Sequence, residues 1–141
     1  LYRDPTVIVD AAHNPHGAKA LAKTLKDEFD FESLFAVVAI LADKDAAGIL
    51  RELEPVVNRL VVTENKSERA LPKEELFTLA KSIFGSDRVF METDLQSAIT
   101  YSMEQATLLN QVSEGSNAVL ITGSVVTVGE AKRIVGRMER G

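Results

Sequence analysis

Five short runs rich in β-branched residues alternate with segments of helical period, and this alternation leaves few folds open to the chain. The runs are TVIVD (6–10), LFAVVAI (34–40), RLVVT (59–63), RVFM (88–91) and AVLIT (118–122). They are apolar at nearly every position, as expected of strands buried on both faces. Between the first two, Ala18, Leu21, Ala22, Leu25 and Phe29 recur at helical steps and share one face. Similar patterns cover 46–53, 72–84, 94 to about 111 and 125 to about 138. Strand–helix repeats of this kind require right-handed crossovers, which place helices on both faces of a mostly parallel sheet. The predicted fold is α/β, a Rossmann-like doubly wound sheet.

The punctuation agrees with these boundaries. Pro15 and Pro72 stand where a first helical turn tolerates a missing N–H, Asn14 and Asp94 precede helical patterns as caps, and Gly85 and Gly115 follow helical patterns where a left-handed residue is commonly needed. At 141 residues with 45% hydrophobic content, the chain can build one core but not two ordinary domains, so residues 1–141 are expected to form a single domain. The absence of cysteine excludes disulfides and thiolate metal sites and suits a cytoplasmic setting. LFAVVAILA (34–42) is about half as long as a membrane-spanning helix, so no membrane span is expected. A net charge of -5, with acids and bases interspersed, gives no basic face for nucleic acid.

In a sheet of this type ligands bind beyond the carboxyl ends of the strands. The loop after the first strand, DAAHNPHG, is the richest in polar groups. There Asp10 can accept from ribose hydroxyls or an ammonium, His13 can donate to a phosphate or hydroxyl oxygen, and the helix starting near Pro15 directs free N–H groups at an anion. Equally, Asp10 and Asn14 can do no more than cap and turn the chain, with His13 satisfied by a backbone carbonyl. Asp10, His13 and His16 do not make a metal set, because a loop running into a helix start does not fix three ligands.

The remaining loops carry further candidates. Lys44 in ADKD can bind a carboxylate or be a solvated loop residue, and Arg69 can clamp a carboxylate with two parallel bonds or be a surface charge. In TGS (122–124), Ser124 and its neighbouring amides can hold an anion, or Ser124 can be only an N-cap. The chain has no GxxxxGK[ST] phosphate loop, no GxGxxG after the first strand and no GxSxG elbow. By itself it has no means of cradling and cleaving a triphosphate.

VIVDAAHNPHGAKAL, AILADKDAAGIL, TENKSERALPKEEL and ITGSVVTVGEAKRIV occur in this order over nearly the whole chain. In that combination the chain resembles the C-terminal domain of the folylpolyglutamate synthase and dihydrofolate synthase branch of the Mur ligase family, with DAAHNP matching that branch's D-[GA]-A-H-N-P signature. The resemblance implies a partner N-terminal ATPase domain in a longer chain. It also implies ATP-dependent joining of L-glutamate to a folate or pteroate carboxylate through an acyl phosphate. Asp10, His13 and Asn14 would serve ATP, and Ser124, Lys44 and Arg69 would serve glutamate. Magnesium would be held chiefly outside this chain, no residue here is expected to be catalytic on its own, and a monomer is expected.

The chain departs from the pattern at Ala11, where glycine is common, and at His16, where an acid is frequent and to which no role is carried over. The family's additional early strand has only Leu1–Arg3 to draw on. Two other readings fit the residues: a sister Mur-type ligase for another amino acid, and a non-catalytic flavodoxin-like nucleotide-binding module.

Overall fold

The structure is a computed structural model and describes residues 5–113 and 115–140. Five strands alternate with five α-helices: β1 (Thr6–Val9), α1 (Pro15–Glu28), β2 (Ser33–Val38), α2 (Ala46–Leu53), β3 (Arg59–Val62), α3 (Lys73–Phe84), β4 (Val89–Met91), α4 (Leu95–Val112), β5 (Asn117–Thr122) and α5 (Val125–Arg140). The strands form one sheet in the order β1-β5-β2-β3-β4, and every pairing is parallel. The expected α/β doubly wound architecture is therefore present. The early strand drawn from Leu1–Arg3 lies outside the described residues.

The strand order fixes where the helices go. From β1 to β4 the chain advances in one direction across the sheet, and right-handed crossovers put α1, α2 and α3 on one face. It then turns back to insert β5 between β1 and β2, which sends α4 and α5 to the other face. The two cores obey the period of two: Leu34, Ala36 and Val38 pack under α1 and α2, while Phe35 and Val37 pack under α4. Phe35 is 1% exposed, and truncating a phenylalanine at such a position costs about 3–5 kcal/mol.

Local chemistry accounts for the helix starts. Asn14 Oδ1 accepts the Gly17 N–H at 2.7 Å with Pro15 in the first turn, and Asp94 Oδ1 accepts the Ser97 N–H at 2.8 Å. Asp45 caps α2 through the Gly48 N–H at 2.9 Å. Gly85 ends α3 at φ +87°, a conformation costly for other residues.

Three details differ from the sequence expectation. Phe29 falls beyond the end of α1, stacks on Phe31 with centroids 5.2 Å apart and stays 42% exposed, because the helix stops one residue short of it. The run LFAVVAI leaves the sheet at Val38, and its last residues are covered instead by the loop before α3. There the Leu71 N–H donates to Ile40 O and the Ala42 N–H to Arg69 O. Arg88 lies in a 3-10 turn ahead of β4, where its guanidinium donates to the Glu54 and Val57 carbonyls and to the Glu54 carboxylate.

Candidate functional site at the carboxyl edge of the sheet

Parallel register brings all five strand exits to one edge. Val9 pairs with Ile121, Thr122 with Val38, Val38 with Val62, and Val62 with Met91. The ladder runs one step past the strands, since the N–H groups of Asp10, Thr63 and Glu92 donate to Ile121, Val38 and Val62. The loops beginning at Asp10, Ala39, Thr63, Glu92 and Gly123 therefore share one rim. Beside β5 they leave it toward opposite faces, which opens a crevice there.

On the β1 side, the half-buried Asp10 carboxylate accepts the Ala12 N–H at 2.9 Å and tightens the turn. The exposed His13 ring places Nδ1 3.0 Å from the Ala11 carbonyl oxygen. A carbonyl can only accept, so Nδ1 carries the proton and a neutral ring turns Nε2 outward as an acceptor. A phosphate oxygen at Nε2 thus requires the imidazolium, whereas a hydroxyl or amino donor suits the neutral ring. Asn14 is exposed and spends its Oδ1 on the helix cap.

On the β5 side the chain turns at Gly123, with φ +125° and so little room that a Cβ would collide with the Ala39 carbonyl oxygen. That close approach seats a buried polar junction. Thr127 Oγ1 donates to Ala39 O at 2.7 Å and accepts from Asn65 Nδ2 at 3.0 Å. With the Thr127 hydrogen spent on Ala39, Ser124 is the donor of the 3.0 Å pair between the two hydroxyls. Ser124 Oγ in turn accepts the Thr127 N–H at 3.0 Å, so it caps α5. Asn65 Oδ1 accepts the Ser67 N–H, and Glu130 Oε2 accepts the Lys66 N–H at 2.7 Å, which clamps the loop after β3 onto α5. Asn65, Ser124, Thr127 and Glu130 are all buried, whereas Val125 and Val126 are exposed beside them with the first-turn N–H groups of α5.

The six candidates taken from the sequence sit on this rim but are not equally available. Lys44 is half-buried, and its side chain makes no hydrogen bond or ion pair among the described residues. Arg69 is exposed and donates to Asp43 Oδ2 at 2.7 Å. Ser124 is 1% exposed and acts first as scaffold for its loop. Asn65, Thr127 and Glu130 were not singled out by sequence reasoning. The spacing of Ser124, Thr127 and Glu130, three residues apart along one side of α5, is a signal that could have found the last two, whereas nothing in the sequence around Asn65 marks it. Thr122 Oγ1 is buried without a partner among the described residues. No group of three or more His, Cys, Asp or Glu side chains among the described residues is placed to hold a metal ion, and no described helix is long and apolar enough to cross a membrane.

A doubly wound parallel sheet with a polar rim at its carboxyl edge, pinned by a buried junction, is the architecture of α/β domains in which the crevice beyond the strand ends is the place for a ligand. The chain belongs to the Mur ligase family, glutamate ligase domain, whose pattern matches residues 2–125. It is 48% identical over 139 residues to the dihydrofolate synthase/folylpolyglutamate synthase of Mycobacterium tuberculosis, covering 94% of this chain and 28% of that protein. The crystal structure of M. tuberculosis folylpolyglutamate synthase complexed with ADP and AMPPCP superposes with a TM-score of 0.92 at 46% identity, over 96% of this chain and 31% of that one. E. coli FolC in complex with DHPP and ADP superposes with a TM-score of 0.82 at 25% identity, over 99% and 30%. The chain thus spans less than a third of the length of these relatives.

Proposed function

We propose that this chain is the C-terminal domain of an ATP-dependent ligase that adds L-glutamate to a folate or pteroate carboxylate. The observation that carries the reading is the 48% identity to the M. tuberculosis synthase across 94% of the chain. An N-terminal ATPase domain of the same polypeptide completes the site, and the protein works as a cytoplasmic monomer. In the reaction an acceptor carboxylate oxygen takes the γ-phosphoryl group of ATP, giving an acyl phosphate and ADP. The amine of glutamate then attacks the acyl carbon, forming the amide and releasing phosphate and a proton.

The rim contributes position and charge, since it offers no nucleophile of its own. Asp10 accepts from the ribose hydroxyls, His13 meets the nucleotide through Nε2, and Asn14 holds the turn that carries both. Lys44 and Arg69 face the carboxylates of glutamate, and Ser124 sets the first turn of α5 against the same ligand. Magnesium, held chiefly by the other domain, neutralises the phosphates. Nucleotide complexes of the M. tuberculosis and E. coli relatives support the ATP part of this reading.

The test is ADP release by the full-length protein with ATP, magnesium and a folate acceptor, across a panel of amino acids. Release that requires both the acceptor and L-glutamate is expected. Release with a different amino acid and acceptor would move the chain to a sister ligase, and none with any pair would refute ligation.

A further inference from the structure

α1 and α2 lie side by side on one face of the sheet, and their first turns meet at Gly48. A Cβ on that residue would lie 2.6 Å from Cγ of Pro15, in the first turn of α1, and 2.5 Å from Oδ2 of Asp45, the cap of α2. Ordinary carbon–carbon contact lies at about 3.5–4.0 Å, so one added methyl group needs the two turns to part by roughly 1 Å. The backbone does not ask for glycine here, since φ at Gly48 is not positive. Helix propensity does not ask for it either, because alanine is the better helix former. The close approach of α1 is what remains to account for it.

That contact stands between two parts of the rim. Pro15 directly follows Asn14, whose Oδ1 caps α1 through the Gly17 N–H at 2.7 Å, and His13 comes just before. On the other side Asp45 directly follows Lys44, and its Oδ1 accepts the Gly48 N–H at 2.9 Å. Lys44 is held in the same tight turn, where its N–H donates to Leu41 O at 3.1 Å and its carbonyl accepts the Ala46 N–H at 3.0 Å. β5 stands between β1 and β2 in the sheet, so no ladder of hydrogen bonds joins the two strands that carry these turns. The proline ring is closed onto its own backbone and cannot rotate aside. A push at position 48 is therefore passed to the main chain of the turn after β1, and through the Asp45 cap to the turn after β2.

We propose that Gly48 is a positioning residue for the ligase reaction: by admitting Pro15 against α2, it sets the distance between the nucleotide turn at Asp10–Asn14 and the Lys44 turn that faces glutamate. The inference rests on the ligase reading above and gives Gly48 no contact with either ligand. A rim that contributes mainly position is sensitive to such a contact, since a displacement of about 1 Å between reacting groups can cost about a hundredfold in rate.

The experiment is a double-mutant cycle in the full-length protein, comparing the unmodified chain with G48A, P15A and P15A/G48A. Amide formation is followed with ATP, magnesium, a folate acceptor and L-glutamate, giving kcat and the KM of ATP and of glutamate, and ADP affinity is measured by calorimetry. G48A is expected to lower kcat at least roughly tenfold, to raise both KM values and to weaken ADP binding. P15A removes the ring carbon that a Cβ at position 48 meets, so in its background the same substitution is expected to cost no more than about threefold in kcat. An equal loss in both backgrounds would overturn the proposal. So would a G48A protein whose kcat is unchanged, a shift confined to the KM of one ligand, or a lowered urea midpoint with normal kinetics, which is the mark of a merely structural residue. An unmodified protein that binds ADP but forms no amide would remove the ligase reading, and the cycle in ADP affinity would still decide whether Gly48 holds the turn after β1.

Discussion

Asn65 donates from Nδ2 to Oγ1 of Thr127 at 3.0 Å, tying the loop after β3 to the first turn of α5 across 62 residues of sequence. Because Thr127 passes its own hydrogen to Ala39 O, the bond links three strand exits in one chain of donors and acceptors. Replacing Asn65 with alanine leaves the Ser67 N–H without its acceptor and Thr127 Oγ1 without one of its donors. A loss of about 1–3 kcal/mol is expected, seen as a lower urea midpoint at unchanged slope. On the proposed ligase reading, the same change in the full-length protein should raise KM for glutamate more than KM for ATP.

Gly123 faces two constraints at once, φ +125° and the Ala39 carbonyl lying where a Cβ would go. Gly123→Ala should therefore cost at least about 2 kcal/mol, from backbone strain plus collision with main chain that cannot swing away. Calorimetry of the purified variant decides this, and an unshifted melting temperature would contradict it.

Thr122 offers a change in the opposite direction. Its hydroxyl is buried with no partner among the described residues, so Thr122→Val removes a desolvated polar group at nearly constant shape. Stability should rise by roughly 1 kcal/mol. A destabilised variant would mean that the hydroxyl finds a partner in solution.

Asp94 gives a pH-dependent contribution of known sign. Hydrogen bonds from Ser97 hold its carboxyl below the ordinary value of 3.8. A depressed folded-state value means that the stabilisation is complete above the unfolded value and is lost as pH falls through the folded one. Asp94→Ala should cost about 1 kcal/mol at neutral pH. Asp94→Asn should keep the cap and flatten the acid limb of the stability curve, which denaturant titrations between neutral and strongly acid pH can measure.

His13 is exposed and, among the described residues, anchored only through Ala11 O, so its loss should barely touch the fold. His13→Ala is expected to leave stability within about 0.5 kcal/mol while lowering ATP-dependent turnover of the full-length protein at least roughly tenfold. Unchanged turnover with a lowered melting temperature would show that the residue only shapes its turn.

Sequence by itself determined the order and kind of every element named from it, because apolar period, caps and prolines act within a few residues of chain. Asn14 and Asp94 cap where their positions predict, and TVIVD through AVLIT are all strands. The ordered motifs likewise carried the family. Strand order was decided only by the tertiary structure, since right-handed crossovers permit several orders and none of them obliges β5 to enter between β1 and β2. That insertion brings Ser124 and Thr127 beside Ala39 and Asn65, and it explains why the junction could not be read from loops taken singly. The same holds for Arg69, a free clamp in sequence that finds Asp43 in space, and for Ile40, which reads as strand but hydrogen-bonds to the loop before α3. Local preference is written in neighbouring residues. Long-range pairing depends on which surfaces remain to be buried once the local elements exist.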